Sequence, residues 1–177
     1  PLAGILSGRI NPSGKLAITF PYSTGQIPIY YNMRQSARPF DKQGDYQDIP
    51  TTPLYEFAHG LSYTNYEYGE LKASTTHIKK NETVNISIPI TNIGNRDGEE
   101  TVHWFISDPV CSISRPIKEL KHFEKHLIKK DETITYTFTI NPIRDLSYVD
   151  SDGNPFLESG IYYISVKDKK IAIEVVE

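Results

Sequence analysis

Short stretches in which apolar and polar residues strictly alternate place the strongest constraint on the fold. Isoleucine, valine and aromatic residues take every second position in 84–90 and in 134–140. This period of two is typical of half-buried β-strands, whose side chains point alternately to the two faces of a sheet. The same alternation recurs in 102–106, 162–166 and 171–175. We expect further strands near 68–73, 118–127 and 146–149.

Turn-forming residues separate these stretches. Glycine, asparagine and aspartate are concentrated at 92–98, 129–132 and 151–155. About seven short strands at this spacing, without an amphipathic helix, predict an antiparallel β-sandwich of the immunoglobulin or fibronectin-III kind. The only cysteine, Cys111, cannot form an internal disulfide, so the sandwich must be stabilised by its core. Trp104 is in phase with its apolar neighbours and is expected in that core.

The first part of the chain has a different character. Residues 2–6 are predicted to end a helix that stops at Gly8, and 16–20 to form a strand that ends at Pro21. No regular element is predicted for 22–66. Because so long an irregular stretch is unusual inside a compact domain, we expect it to run over a neighbouring surface. The predicted fold class is mainly β, with a sandwich preceded by a largely irregular segment.

Six motifs occur in a fixed order along the chain. In the first part they are NPSGKL at 11–16 with TFP at 19–21, GQIPIYYN at 25–32 with Arg38-Pro39 after it, and PLYEFAHGLSYT at 53–64. In the second part they are TNIG at 91–94 with GE at 98–99, RPIKELKHF at 115–123, and GIY at 160–162. In this order they resemble the C-terminal part of family 3 glycoside hydrolases, the periplasmic β-glucosidase group in particular. One departure is Ala58, where that family usually has glycine.

The resemblance implies a domain organisation. Residues 1–21 would end an α/β sandwich domain, 22–66 would be an interdomain linker, and 67–177 would be a fibronectin-III-like domain. The parent would be a retaining β-glucosidase that acts on terminal β-linked glucose or a related sugar in β-glucosides or oligosaccharides, in the periplasm or outside the cell. Its partners would be the upstream barrel and α/β sandwich domains, and the resemblance leaves room for a homodimer.

The catalytic groups of that family lie elsewhere in the parent. They are an aspartate nucleophile on the barrel and a glutamate acid/base on the α/β sandwich domain. No position of this chain matches either motif, so no catalytic residue is predicted, and no cofactor-binding or metal-ligating residue. The fragment alone is therefore predicted to be inactive, with a structural role in domain packing. The alternatives are a non-catalytic carbohydrate-binding module and a plain structural spacer.

Other candidate residues favour ordinary structural roles. The close carboxylate pairs fall at turns or strand ends, where solvated side chains are expected. These pairs are Glu99 with Glu100, Asp131 with Glu132, and Asp150 with Asp152. His122 and His126 have metal-ligand spacing only on a helix, and their sequence predicts a strand, which argues against a zinc site. Ser62 and Cys111 lack a nearby base.

Composition excludes two further classes of function. The net charge of −3 gives no electrostatic reason to bind nucleic acid. No stretch approaches the roughly 20 apolar residues of a membrane span.

Aromatic residues in the first part of the chain allow two interpretations. They are Tyr30, Tyr31, Tyr46, Tyr55, Phe57 and Tyr63. Aromatic rings can stack on sugars, or they can pack a linker against the domains that it crosses. Their alternation with proline and glycine favours packing. We therefore expect residues 1–66 to lie on the sandwich or on a second molecule, with Tyr30, Tyr31, Tyr55 and Phe57 as anchors.

Overall fold

The computed structural model of the chain describes residues 2–34, 50 and 52–177. Arg38, Pro39 and Tyr46 lie outside these residues. The described elements, in chain order, are α1 (Leu2–Leu6), a short 3-10 helix (Thr24–Gln26), β1 (Tyr66–Tyr68), β2 (Lys72–Ala73), β3 (His77–Lys79), β4 (Val84–Asn92), β5 (Gly98–Ser107), β6 (Glu119–Ile128), β7 (Thr133–Ile140), α2 (Pro142–Asp145), β8 (Tyr148–Val149), β9 (Pro155–Phe156), β10 (Gly160–Val166) and β11 (Lys169–Val176).

Two sheets form the sandwich. In the four-stranded sheet, β4 pairs with β1, β2 and β7, and in the five-stranded sheet the order is β3-β11-β10-β5-β6. The stretches with the clearest alternation, β4 and β7, pair in register from Val84 opposite Ile140 to Thr91 opposite Thr133. A separate hairpin joins β8 and β9. The mainly β fold and its sandwich are as the sequence predicted.

The core lies between the two sheets, on the faces that the alternation marked. Trp104 and Ile140 have no exposed surface, and Phe138 is buried beside Trp104 with ring centroids 6.0 Å apart. Most other core side chains come from the same phase of β4, β5, β7, β10 and β11, and the remaining ones are Leu71, Ile78, Ile128 and Leu146. The core placement predicted for Trp104 is therefore confirmed.

The strand inventory differs from the prediction in three respects. Nine strands rather than about seven make up the two sheets, because β2 and β3 are only two and three residues long and carry no readable alternation. The sandwich is not purely antiparallel, since β3 and β11 pair in parallel. The short helix α2 was not predicted; Pro142 at its first turn and the Asn141 side chain, which accepts a bond from the Arg144 amide, define its start.

The first part of the chain is held by backbone contacts with itself rather than by a sheet. The helix α1 ends as predicted before Gly8, which has φ +74°. The predicted strand at 16–20 is wrong: Leu16 and Phe20 instead exchange backbone hydrogen bonds with Ala58, His59 and Tyr55, and only Phe20 and Tyr55 form a bridge. Apolar and polar residues do alternate in 16–20, but among the described residues no second strand lies beside them to form a ladder of hydrogen bonds.

We use the name junction segment for the described part of residues 2–65. It lies against the outer face of the five-stranded sheet, where Phe105 projects away from the core. The amide of Ile117 donates to the carbonyl of Met33 at 2.9 Å, and Arg34 forms a bridge with Pro116. The expectation that this part of the chain lies on the sandwich is confirmed.

Candidate functional site

A buried carboxylate marks the contact between the junction segment and the sandwich. Glu100, on β5, is 1% exposed. The Tyr68 hydroxyl donates to its Oε1 at 2.6 Å, and the Lys15 ammonium lies 3.0 Å from its Oε2. The Lys167 ammonium is 3.6 Å from Oε1. The prediction of a solvated residue is therefore wrong for Glu100, because a lysine from the distant junction segment covers it.

The burial of Glu100 depends on these partners. An ionised carboxylate that is removed from water must be paired and hydrogen-bonded, or it destabilises the fold by several kcal/mol. Burial, together with the charge of Glu100, raises the pKa of the Tyr68 phenol, so Tyr68 remains a hydrogen-bond donor. Burial lowers the pKa of Lys167, which the neighbouring Glu100 partly opposes. The result is a closed polar cluster that joins four separate parts of the chain.

Further polar contacts extend this junction toward the start of β5. The Ser13 hydroxyl donates to Glu99 at 2.9 Å, and Lys125 lies 2.8 Å from the same carboxylate. Hydrogen bonds from Lys125 and Ser13 lower the pKa of Glu99. The Arg96 guanidinium donates to the Gly8 carbonyl at 2.8 Å. Unlike Glu100, Glu99 is exposed, as the sequence predicted.

The end of the junction segment is fixed by a buried asparagine. The Thr64 hydroxyl donates to Asn92 Oδ1 at 2.6 Å, and Asn92 Nδ2 donates to the carbonyl of Ile128 at 2.9 Å. Asn92 is the last residue of β4 and Ile128 the last of β6, so one side chain connects the segment to both sheets. A side chain at Gly98 would collide with Tyr66, Asn11 and Thr64, which explains the glycine in this motif.

Aromatic packing forms the other half of the junction. Tyr31 stacks on Phe57 with ring centroids 4.2 Å apart, and both rings contact Phe105 edge-on at 5.8 and 6.1 Å. The packing interpretation is confirmed for these two anchors. Tyr55 contacts Phe20 and His59 inside the segment, and Tyr30 is 61% exposed, so neither anchors the segment to the sandwich.

Between the polar cluster and the aromatic anchors lies a cavity of about 300 Å³. We call it the junction cavity. Its walls include Lys15, Phe57, Glu100, His103, Lys118 and Lys167. A second hollow of about 220 Å³ adjoins it and shares Phe57 and Lys118. Burial, and then the charge of Lys15, lower the pKa of His103, so that its imidazole is neutral at pH 7.

The RPIKELKHF motif has a structural explanation. Arg115 is buried, and its guanidinium lies 3.2 Å from Asp108 and 3.0 Å from Glu119. It also donates to the Leu146 carbonyl at 2.9 Å. This ion-pair cluster ties the loop before β6 to the end of β5 and to the residue after α2. Breaking a buried pair of this kind typically costs about 3–5 kcal/mol.

The remaining candidate residues do not assemble into a reactive site. His122 stacks on Phe138, and His126 contacts Tyr136 edge-on. The part of the chain that the structure describes contains no group of three His, Cys, Asp or Glu side chains placed to hold a metal ion. Burial raises the pKa of Cys111, which leaves the thiol protonated at neutral pH. The Ser62 hydroxyl donates to Asn11, which is not a base.

The other two carboxylate pairs are turn residues, as predicted. Glu132 accepts the Lys129 amide, and Asp150 accepts the amides of Asp152 and Asn154. Both pairs are used to close exposed turns. Across the described ranges no helix combines the length and the apolar character needed to cross a bilayer.

Comparisons with known proteins agree with this architecture. Residues 1–63 match the model of the glycosyl hydrolase family 3 C-terminal domain, and 100–170 match that of the fibronectin type III-like domain. The chain thus combines a stretch that matches the C-terminal domain of this hydrolase family with a fibronectin type III-like sandwich. It belongs to glycosyl hydrolase family 3, and the resemblance found in its motifs is confirmed.

Relatives at both the sequence and the structural level carry glycosidase names. A periplasmic β-glucosidase of Salmonella typhimurium is 38% identical over 79% of the chain, and a β-xylosidase of Formosa agariphila is 36% identical over 93%. A solved β-glucosidase from Erythrobacter marinus superposes over 99% of the chain with a TM-score of 0.91 and 35% identity. The chain spans only 19%, 22% and 23% of the length of these three proteins.

Proposed function

We propose that this chain is the docking module of a retaining family 3 β-glucosidase that removes terminal β-linked glucose or a related sugar. In this proposal residues 1–21 complete an α/β sandwich domain, 22–66 are the interdomain linker, and 67–177 are the terminal domain. The chain positions the catalytic domains and supplies no catalytic group itself. By analogy with the Salmonella relative, we propose a periplasmic or secreted location.

The distribution of exposed hydrophobic side chains carries the proposal. The junction segment presents twelve large exposed ones, among them Leu2, Leu6, Ile18, Ile27 and Leu61 at 62–76% exposure. The buried hydrophobic core of the described residues begins only at Leu71. Large exposed apolar surfaces on soluble proteins mark interaction sites. The segment is held on one side by the sandwich and leaves its apolar side chains free for a partner.

The length of the relatives supports a partner within the same polypeptide. Each of the three relatives extends well beyond the region that this chain matches. The unmatched part is about three quarters of the relative's own length or more. In the proposal, that remaining part of a family 3 enzyme provides the apolar surface that covers the segment. The interface would be of the apolar, obligate kind, which resembles a domain core divided between two pieces.

The chemistry of the carboxylates supports a role without catalysis. A retaining glycosidase uses two carboxyl groups about 5–5.5 Å apart, one of which must be free to attack the sugar. Both oxygens of Glu100 are engaged, Oε1 by Tyr68 and Oε2 by Lys15. Its sequence neighbour Glu99 points away from the core and pairs with Lys125. Glu100 is therefore a structural carboxylate in this proposal.

Binding between separately produced pieces tests the docking role. The upstream part of the parent polypeptide is titrated with residues 1–177, and we expect a stable complex. Leu61→Asp places a charge in the apolar surface and should weaken the complex at least about tenfold. The matched control is Ile161→Asp, which changes a 51% exposed residue of the sandwich.

The control should bind like the unchanged chain. If Leu61→Asp and Ile161→Asp bind equally well, or if the unchanged pieces do not associate, the docking role is wrong.

A further inference from the structure

The junction cavity is lined by charged side chains, of which Lys15 and Lys167 pair with Glu100 and Lys118 does not. Most contacts between the segment and the sandwich are tight, but here a space of about 300 Å³ remains beside charged side chains. Small-molecule sites occupy about 300–1,000 Å³. A volume at the lower end of this range suits one monosaccharide unit rather than a longer oligosaccharide.

Positive charge exceeds negative charge around this space. Lys15, Lys118 and Lys167 line it, against the carboxylates of Glu56 and Glu100. Glu100 is already engaged by Lys15 and Tyr68, and Glu56 is exposed. Lys118 lies over the Phe105 ring at 4.9 Å and has no carboxylate within ion-pair distance among residues 2–34, 50 and 52–177. Lys118 on the cavity wall therefore has no compensating carboxylate among the residues that the structure describes.

The pKa values of two neighbouring groups agree with this excess of positive charge. Burial lowers the pKa of both Lys167 and His103, and the charge of Lys15 lowers each of them further. A bound anion would oppose both effects, because it would lie near the same positive charges.

The remaining walls suit a sugar ring. Phe57 and Phe105 provide aromatic surface, and the neutral imidazole of His103 and the Ser165 hydroxyl can exchange hydrogen bonds with sugar hydroxyls. An apolar wall with a few convergent polar groups is the usual composition of a ligand site. The combination distinguishes an acidic sugar from a plain inorganic anion, which would not use the aromatic wall.

We propose that the junction cavity binds one acidic monosaccharide unit, a hexuronate. Its carboxylate pairs with the Lys118 ammonium, and its ring lies against Phe57. The proposal does not depend on the docking role proposed above.

Calorimetric titration of residues 1–177 tests the site with three probes: glucuronate, glucose and acetate. We expect glucuronate to bind at least about tenfold more tightly than either glucose or acetate, since only glucuronate combines a charged carboxylate with a sugar ring. Binding should weaken as salt is raised, because part of it is electrostatic. Equal affinity for glucuronate and acetate, or no binding of glucuronate, would overturn the proposal.

A pair of lysine variants separates the cavity from general surface charge. Lys118→Met removes the uncompensated cation and should weaken glucuronate binding at least about tenfold. The control is Lys170→Met, because Lys170 also lies over an aromatic ring, Tyr163 at 3.8 Å, but outside the cavity. It should leave the affinity unchanged. An equal loss in both variants would show only non-specific attraction to lysines and would contradict the site.

Discussion

The sandwich and the junction segment are ordered in different ways. The sandwich buries its own core, in which Trp104, Ile140 and Ile164 have no exposed surface. The junction segment buries no large hydrophobic side chain among its described residues, and its few regular elements are three to five residues long. It is held by Lys15, Tyr31 and Phe57, which contact β5 of the sandwich. One region is therefore stable through its interior and the other through its attachment.

This difference has a physical consequence for folding. A segment without a core cannot offset the entropy of ordering its backbone, about 1–2 kcal/mol per residue, unless another surface supplies the missing contacts. The sandwich supplies one such surface. Under the proposed docking role, the exposed leucine and isoleucine side chains of the segment would pack on a second surface.

Separating the two regions should have the largest effect. We expect residues 66–177 alone to unfold cooperatively with a β-type circular dichroism spectrum, since all nine strands of the two sheets lie within them. Residues 1–65 alone should give the spectrum of an unfolded chain. A folded spectrum for 1–65, or an unfolded one for 66–177, would contradict the claim that only the sandwich is stable by itself.

Within the sandwich, truncating the central aromatic should nearly remove its stability. Trp104→Ala creates a large cavity between the sheets, and such changes typically cost about 3–5 kcal/mol. The control is Phe123→Ala, because Phe123 is 62% exposed; it should change the free energy of unfolding by less than about 0.5 kcal/mol. Similar urea midpoints for both variants would contradict the assigned core.

At the junction, removing Glu100 should release the segment. Glu100→Ala leaves Lys15 buried without its partner, and breaking a buried pair typically costs about 3–5 kcal/mol. Hydrogen exchange should then show faster exchange of the Leu16 and Ala58 amides, which are bonded within the segment. The control is Glu99→Ala, whose pair with Lys125 is exposed and worth about 0.2–1 kcal/mol. Unchanged exchange in Glu100→Ala would show that the aromatic anchors alone hold the segment.

A small stabilisation is expected at Ala58. This residue has φ +67°, a left-handed conformation that is unfavourable for alanine and accessible to glycine. Ala58→Gly should relieve about 1 kcal/mol of backbone strain, reduced somewhat by the greater freedom of glycine in the unfolded chain. The thermal midpoint of the full chain should rise slightly. A lower midpoint would mean that the Ala58 methyl group makes contacts worth more than the strain.

Sequence reasoning predicted the sandwich well because its signal is local. The alternation in β4 and β7 indicates which side chains face the core before any strand pairing is known. The core position of Trp104 was predicted from the same kind of alternation in β5. Glu100 could not be placed in this way, since its burial depends on Lys15, 85 positions earlier in the chain. One signal was available: Glu100 continues the inward phase of Val102 and Trp104. The strand predicted between Leu16 and Phe20 failed for a related reason, because the alternating residues have no neighbouring strand to pair with among the described residues.

The absence of a catalytic role for this chain, which is central to the account, can be tested directly by hydrolysis of an aryl β-glucoside. We predict no turnover above buffer for purified residues 1–177, and clear turnover for the longer parent polypeptide. Glu100→Gln in the chain serves as the diagnostic variant, since Glu100 is its most buried carboxylate among the described residues. Turnover by residues 1–177 that disappears in Glu100→Gln would contradict the account, because a structural carboxylate would then be a catalytic one.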